Sequence, residues 1–194
     1  MVFLASLFAI LAPGTTFGAW EAPYVEEAIA RGIAAAKKLK DLSSFGARSD
    51  GMCLIGGFME VEGEISWTCK LKGGKEYIFV ASGDKDVKDL DLEAWENKKM
   101  IAEDKAEDNT PVVALTVEED CDVLMKMKLD AATTKDEVHF NVLIMLENAG
   151  TGGSLSQLEK VAKQLNAVCA TVGDKGALEF DTGANAVCIA AGLI

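Results

Sequence analysis

The residues in this chain that could do chemistry are carboxylates. Asp84, Asp86, Asp89 and Asp91 fall within one short stretch, and Glu103, Asp104 and Asp108 follow in a later loop. Hard oxygen donors of this kind suit Ca²⁺, which takes about six to eight of them. Asp84, Asp86, Asp89, Asp91, Asp104 and Asp108 are therefore the metal-site candidates, if both acidic loops fall at one end of the fold. The spacing is not that of an EF-hand loop, since no glycine stands at the sixth position and no glutamate at the twelfth. A solvated acidic rim competes with this reading. From Asp84 to Asp122 there are 14 Asp and Glu against 5 Lys, a surplus that keeps a domain soluble without any ligand. Calcium is the one cofactor the residues suggest.

Other chemistries find fewer parts. His139 is the only histidine, so no paired-imidazole metal site can form. It alternates with Val138 and Phe140, which predicts that it faces solvent. No nucleophile can be matched with a base, and the chain reads as a non-enzyme. Two carboxylates could serve glycoside hydrolysis, but no aromatic sugar platform accompanies them. Trp95 falls on the solvent side of its strand, where it is either a small binding feature or part of a covered edge. The five cysteines, Cys53, Cys69, Cys121, Cys169 and Cys188, contain no CxxC pair and read mainly as buried thiols.

The elements that position these residues are mostly strands. Ile65, Trp67, Cys69 and Leu71 alternate with polar residues, as do Leu90, Leu92 and Ala94, and again Val123, Met125, Met127 and Leu129. Eight strands are predicted between Met52 and Leu146, with Ile65, Trp67, Leu90, Leu92, Val113, Leu115, Val123, Met125 and Met127 pointing inward. Gly73 and Gly74 read as the tight turn of a β-hairpin. The predicted fold is mainly β: an antiparallel, jelly-roll-like sandwich with a flanking helix on each side. The first helix is expected over 22–42, with Val25, Ala28, Ile29, Ile33 and Ala36 on one face, acidic residues near its start and lysines near its end. It reads as a packing helix against a sheet or a neighbouring domain. The second, from Leu155 to Val172, starts at Ser154 with Gln157 three residues on, a capping-box pattern.

The succession ISWTCKLKGGKEYIFV, DLDLEAW, MIAED, TPVVALTVEED, VLMKMKL resembles the bacterial pre-peptidase C-terminal domain over residues 52–147. One departure is that Asp120, Cys121 and Asp122 stand where that family has a glycine and an aromatic. The resemblance implies an extracellular β-sandwich that accompanies and positions another domain.

The remaining signals concern location and organisation. Phe3 to Leu11 is an apolar run followed by Pro13, Gly14 and the small residues Gly18 and Ala19, so 1–19 reads as a secretory signal peptide. No later segment is long and apolar enough for a transmembrane helix. The net charge of −12 argues against nucleic acid, because a phosphate backbone would be repelled. Val187 to Ile194 matches Met52 to Met59 at an offset of 135 residues, with Cys188 over Cys53 and Gly192 over Gly57. Residues 148–194 therefore read as a linker, a helix and the first strand of a truncated second repeat, or as a tail whose last strand docks on the first domain. The expected role is a secreted, non-catalytic module binding a protein or a cell-surface ligand. The alternative is a calcium-binding accessory domain, or a fragment of a larger secreted enzyme.

Overall fold

The computed structural model of the chain describes residues 22–39, 44–48, 52–134, 138–148, 159–160, 163 and 188–192. They form one full helix, α1 (Ala22–Ala36), and ten strands. These are β1 (Phe45–Ala47), β2 (Met52–Met59), β3 (Glu64–Leu71), β4 (Lys75–Gly83), β5 (Val87–Glu96), β6 (Lys99–Asp104), β7 (Val112–Val117), β8 (Cys121–Ala132), β9 (His139–Asn148) and β10 (Cys188–Gly192). One sheet has the order β10-β2-β9-β4-β7, with β1 also on β9, and the other has the order β3-β8-β5-β6. All the pairings are antiparallel. The eight expected strands are present as β2 to β9, packed as a sandwich. The segment 1–19, Cys169 and most of the expected second helix lie outside the described residues. Of that helix, Glu159, Lys160 and Lys163 are helical, and Lys37 Nζ lies 2.5 Å from Glu159 Oε1.

The two sheets differ in sequence because they differ in burial. β3, β5 and β8 alternate, with one face on the core and one in water. β9, HFNVLIMLEN, is buried at every position but the last. Its even residues Phe140, Val142, Ile144 and Leu146 meet α1 through Val25, Ala28, Ile29, Ile33 and Ala36. Its odd residues Leu143 and Met145 meet the second sheet through Leu90, Leu92, Met125, Met127 and Leu129. A strand covered on both faces has no polar side to show. The predicted inward residues all belong to this inter-sheet core, Ile65 and Trp67 as half-buried members at the β3 edge.

Helix α1 sits close on its sheet. A Cβ on Gly32 would lie 2.6 Å from Ser82 Oγ and 2.9 Å from Ile144 Cδ1, so only glycine allows this approach. Ser82 Oγ donates to the Ala28 carbonyl at 2.7 Å. The helix is shorter than expected. It closes at Ala36, and i→i−3 bonds from Lys38 and Leu39 tighten the turn that follows. Its first turn holds no acidic residue and its last turn no basic one, so the expected dipole pairing is absent.

The expected hairpin at Gly73 and Gly74 is not one. β3 pairs with β8 in one sheet, whereas β4 pairs with β7 and β9 in the other. The chain arches between layers here. Gly74 takes φ +74°, and the Tyr77 hydroxyl accepts a 2.9 Å bond from the Lys72 N–H to hold the arch.

The strand expected near the end is β10. It pairs with β2, Ile189 standing opposite Gly56 and Ala190 opposite Ile55, and so docks on the first sheet. Most of the remainder of 148–194, on which the repeat reading also rests, lies outside the described residues.

Candidate functional site

The outer face of the four-stranded sheet carries one row of side chains that crosses every strand. Thr68 on β3 is opposite Leu124 on β8, Leu124 is opposite Trp95 on β5, and Trp95 is opposite Met100 on β6. Directly paired residues share a face, so these four lie side by side. A register shift between Ala94 and Trp95 brings Trp95 opposite Met100. Met100 and its neighbour Ile101 are the large apolar side chains most open to water among the described residues, at 36% and 40%.

The next rows are charged. Ser66, Lys126, Glu93 and Glu103 form one, and Glu64, Lys128 and Asp91 form another. Lys105 Nζ reaches Glu93 at 2.7 Å and Glu103 at 3.1 Å, offsetting the like charges placed opposite each other. The contact with Lys105 holds the Glu93 carboxyl below its usual range, against the effect of burial. Trp95 Nε1–H donates to Glu93 Oε2 at 2.8 Å, and Lys126 Nζ stands 5.6 Å from the ring centroid.

At the apolar row the face opens into a hollow of about 440 Å³, lined by Thr68, Trp95, Asn97, Lys98, Asp122, Leu124 and Lys126. Its rim is the two-residue turn between β5 and β6. Asn97 and Lys98 have φ +49° and +66°, the left-handed values of a type I′ hairpin turn. Asparagine tolerates this conformation. Glycine is the usual second residue, and a lysine there costs on the order of 1–2 kcal/mol. Both turn residues line the hollow, the strained Lys98 among them.

The six metal-site candidates are spread over several environments. Asp84 is 1% exposed, not part of a solvated loop. Its Oδ2 accepts the Phe140 N–H at 2.7 Å and its Oδ1 the Asp86 N–H at 3.0 Å. Asp104 accepts the N–H groups of Ala106 and Val112, and Asp108 accepts that of Thr110. Asp89 does come near Asp91 and Asp108, and with them Asp130 at the end of β8, which the sequence reading passed over. Its solvent parity with Lys126 and Lys128 was the available signal. Among the described residues, no three His, Cys, Asp or Glu side chains are grouped to hold a metal ion.

His139 does not face solvent as its alternation suggested. It is 2% exposed, because β9 is covered on both faces. Nε2–H donates to the Thr134 carbonyl at 2.8 Å, and Nδ1 lies 3.6 Å from Asp84 Oδ1. Burial pushes its pKa down, but Asp84, the Thr134 carbonyl and Asp86 outweigh this and raise it above the ordinary value. Arg31 on α1 adds bonds to the carbonyls of Gly83 and Asp84, at 3.2 and 2.5 Å. This cluster ties α1, the β4–β5 turn and β9 together.

The Asp91–Asp130 pair sets a pH dependence. Burial first, then the contact with Asp130 and the charge of Asp89, push Asp91 up from 3.8 to about 6. The native state therefore holds this proton more tightly than the unfolded chain, and the contribution to stability falls as pH rises through that window. Asp130 is displaced downward, so its own effect lies below the ordinary carboxylate range. Asp91→Asn should raise the melting temperature at pH 7 and flatten its decline between pH 4 and 6. Thermal melts across that range check this. An unchanged slope in the variant would contradict the pairing.

No family model matches the sequence, and no curated protein does. Of the resemblance to the pre-peptidase C-terminal domain, the β-sandwich stands. Among solved structures, the chain is similar to the periplasmic inhibitor of g-type lysozyme from Aeromonas hydrophila. The identity is 10% and the TM-score 0.35, over 49% of this chain and 86% of that one.

Proposed function

We propose that the chain is a secreted, non-catalytic β-sandwich module that binds a protein partner on the outer face of its four-stranded sheet, with Trp95 as the anchor. The observation that carries this reading is the row Leu124, Trp95, Met100 beside an open hollow. Tryptophan, methionine and other apolar side chains framed by charges are the composition of an interface centre. Lys98, Lys126 and Asp122 line the hollow, and Lys126 already pairs with Glu64 at 3.4 Å, inside a chain of net charge −12. This suits a partner that lays an apolar side chain on the indole and sets a carboxylate against Lys98. The backbone cost of Lys98 in the left-handed region is consistent with a side chain kept for contact rather than for stability.

The test compares surface and extracellular proteins captured by the wild-type chain with those captured by Trp95→Ala and Lys98→Gly. Trp95→Ala should weaken capture by roughly 30-fold or more, the level of a hot-spot aromatic, at a melting temperature close to that of the wild type. Lys98→Gly should melt higher, because it relieves the turn, and should bind less well. Partners held equally by wild type and Trp95→Ala would overturn the reading.

A further inference from the structure

The pairing of β10 with β2 has a hidden symmetry. Cys188, Ile189, Ala190 and Ala191 stand opposite Gly57, Gly56, Ile55 and Leu54. The sequence match places Cys188 over Cys53, Ile189 over Leu54, Ala190 over Ile55 and Ala191 over Gly56. Translated through that match, β2 is paired with a likeness of itself, antiparallel, about Ile55. This is the register that a twofold axis through Ile55 would impose on two identical β2 strands.

The edge beneath is unusual in having nothing to blunt it. Met52 to Met59 contains no charged residue and no proline, and Cys53 to Met59 are all buried. The described residues of β10 cover it from Met52 to Gly57. A second β2 centred on Ile55 would pair from Met52 to Phe58.

We propose that the outer edge of β2 is a self-complementary docking edge whose partner is a second copy of this chain, with β10 as the intramolecular stand-in that occupies it. Exchange of β10 for the second copy's β2 joins two sheets into one, in the order β7-β4-β9-β2-β2-β9-β4-β7. The twofold axis stands perpendicular to the sheet, so both α1 helices lie on the same side. While β10 is tethered to its own edge, its effective concentration keeps the chain monomeric.

The experiment is sedimentation velocity on the full chain, on a chain lacking residues 184–194, and on full-length Ala190→Pro, which removes a ladder donor from β10. The full chain should sediment as a monomer across the micromolar range, and both variants should shift to a dimer. Ile55→Cys in the shortened chain should give a covalent dimer on mild oxidation, since directly opposed strand residues fall within disulfide reach. Folded variants that stay monomeric would overturn the proposal. So would unfolded variants with no folded dimer at any concentration, or a dimer that Ile55→Cys fails to cross-link.

Discussion

Asp84→Ala is expected to destabilise the fold by about 3–5 kcal/mol, the range for removing one member of a buried charged cluster. The loss has several parts. The Phe140 and Asp86 N–H groups each lose their acceptor, and the Phe140 N–H is buried. His139 keeps its bond to the Thr134 carbonyl but loses the carboxylate that favours its charge. Arg31 still reaches its two carbonyls, and the backbone bond from the residue 84 N–H to the Phe140 carbonyl, 2.9 Å, still holds the turn on β9. Urea denaturation measures the effect. The sign of its pH dependence follows from His139, whose folded pKa lies above its unfolded value. The stabilisation from its charged form is complete below the ordinary histidine range and is lost as pH rises through the raised value. The deficit of Asp84→Ala against wild type should therefore be larger at pH 6 than at pH 9. A loss below about 1 kcal/mol at both would mean that the cluster contributes little.

Phe140→Ala should cost a similar amount, about 3–5 kcal/mol, by a different route. Phe140 is fully buried, and its ring meets Phe58 edge-on with centroids 5.1 Å apart. The ring also fills the space over Gly56, where a Cβ would come within 2.9 Å of Phe140 Cζ. Truncation opens a cavity beneath α1, next to the inner-face residues Leu54 and Val142. Backbone hydrogen exchange should then quicken in α1 while β5 and β8, in the far sheet, keep their protection. Equal loss of protection in both layers would show that the helix and sheet interfaces do not separate in this way.

How far the sequence reading carried depends on the face of the sheet. β3, β5 and β8 could be read because water on one side forces alternation, and Trp95 was placed on the correct side by that parity. Parity fails where a strand has no wet side. On β9 it assigned His139 to solvent, although both faces of the strand are covered. It left Asp84 in a loop because Gly83 precedes it, with nothing to show that the turn folds back onto β9. Gly73 and Gly74 mark a sharp reversal, but a hairpin and an arch between sheets use the same residues. Which one forms is decided by distant partners, β8 for β3 and β9 for β4. The row Thr68, Leu124, Trp95, Met100 was illegible for the same reason. It joins four strands from across the chain, and its register depends on a shift beside Trp95 that no local pattern announces.

The central claim is that the outer face around Trp95 is the binding surface. Hydrogen–deuterium exchange of the chain with and without its captured partner tests it most directly. The account predicts slowed exchange at Leu124 on β8, Trp95 on β5 and Met100 on β6, with α1 and the β2 edge unchanged. Slowed exchange confined to α1 or to the β2 edge, with the Trp95 row as open in the complex as in the free chain, would contradict it.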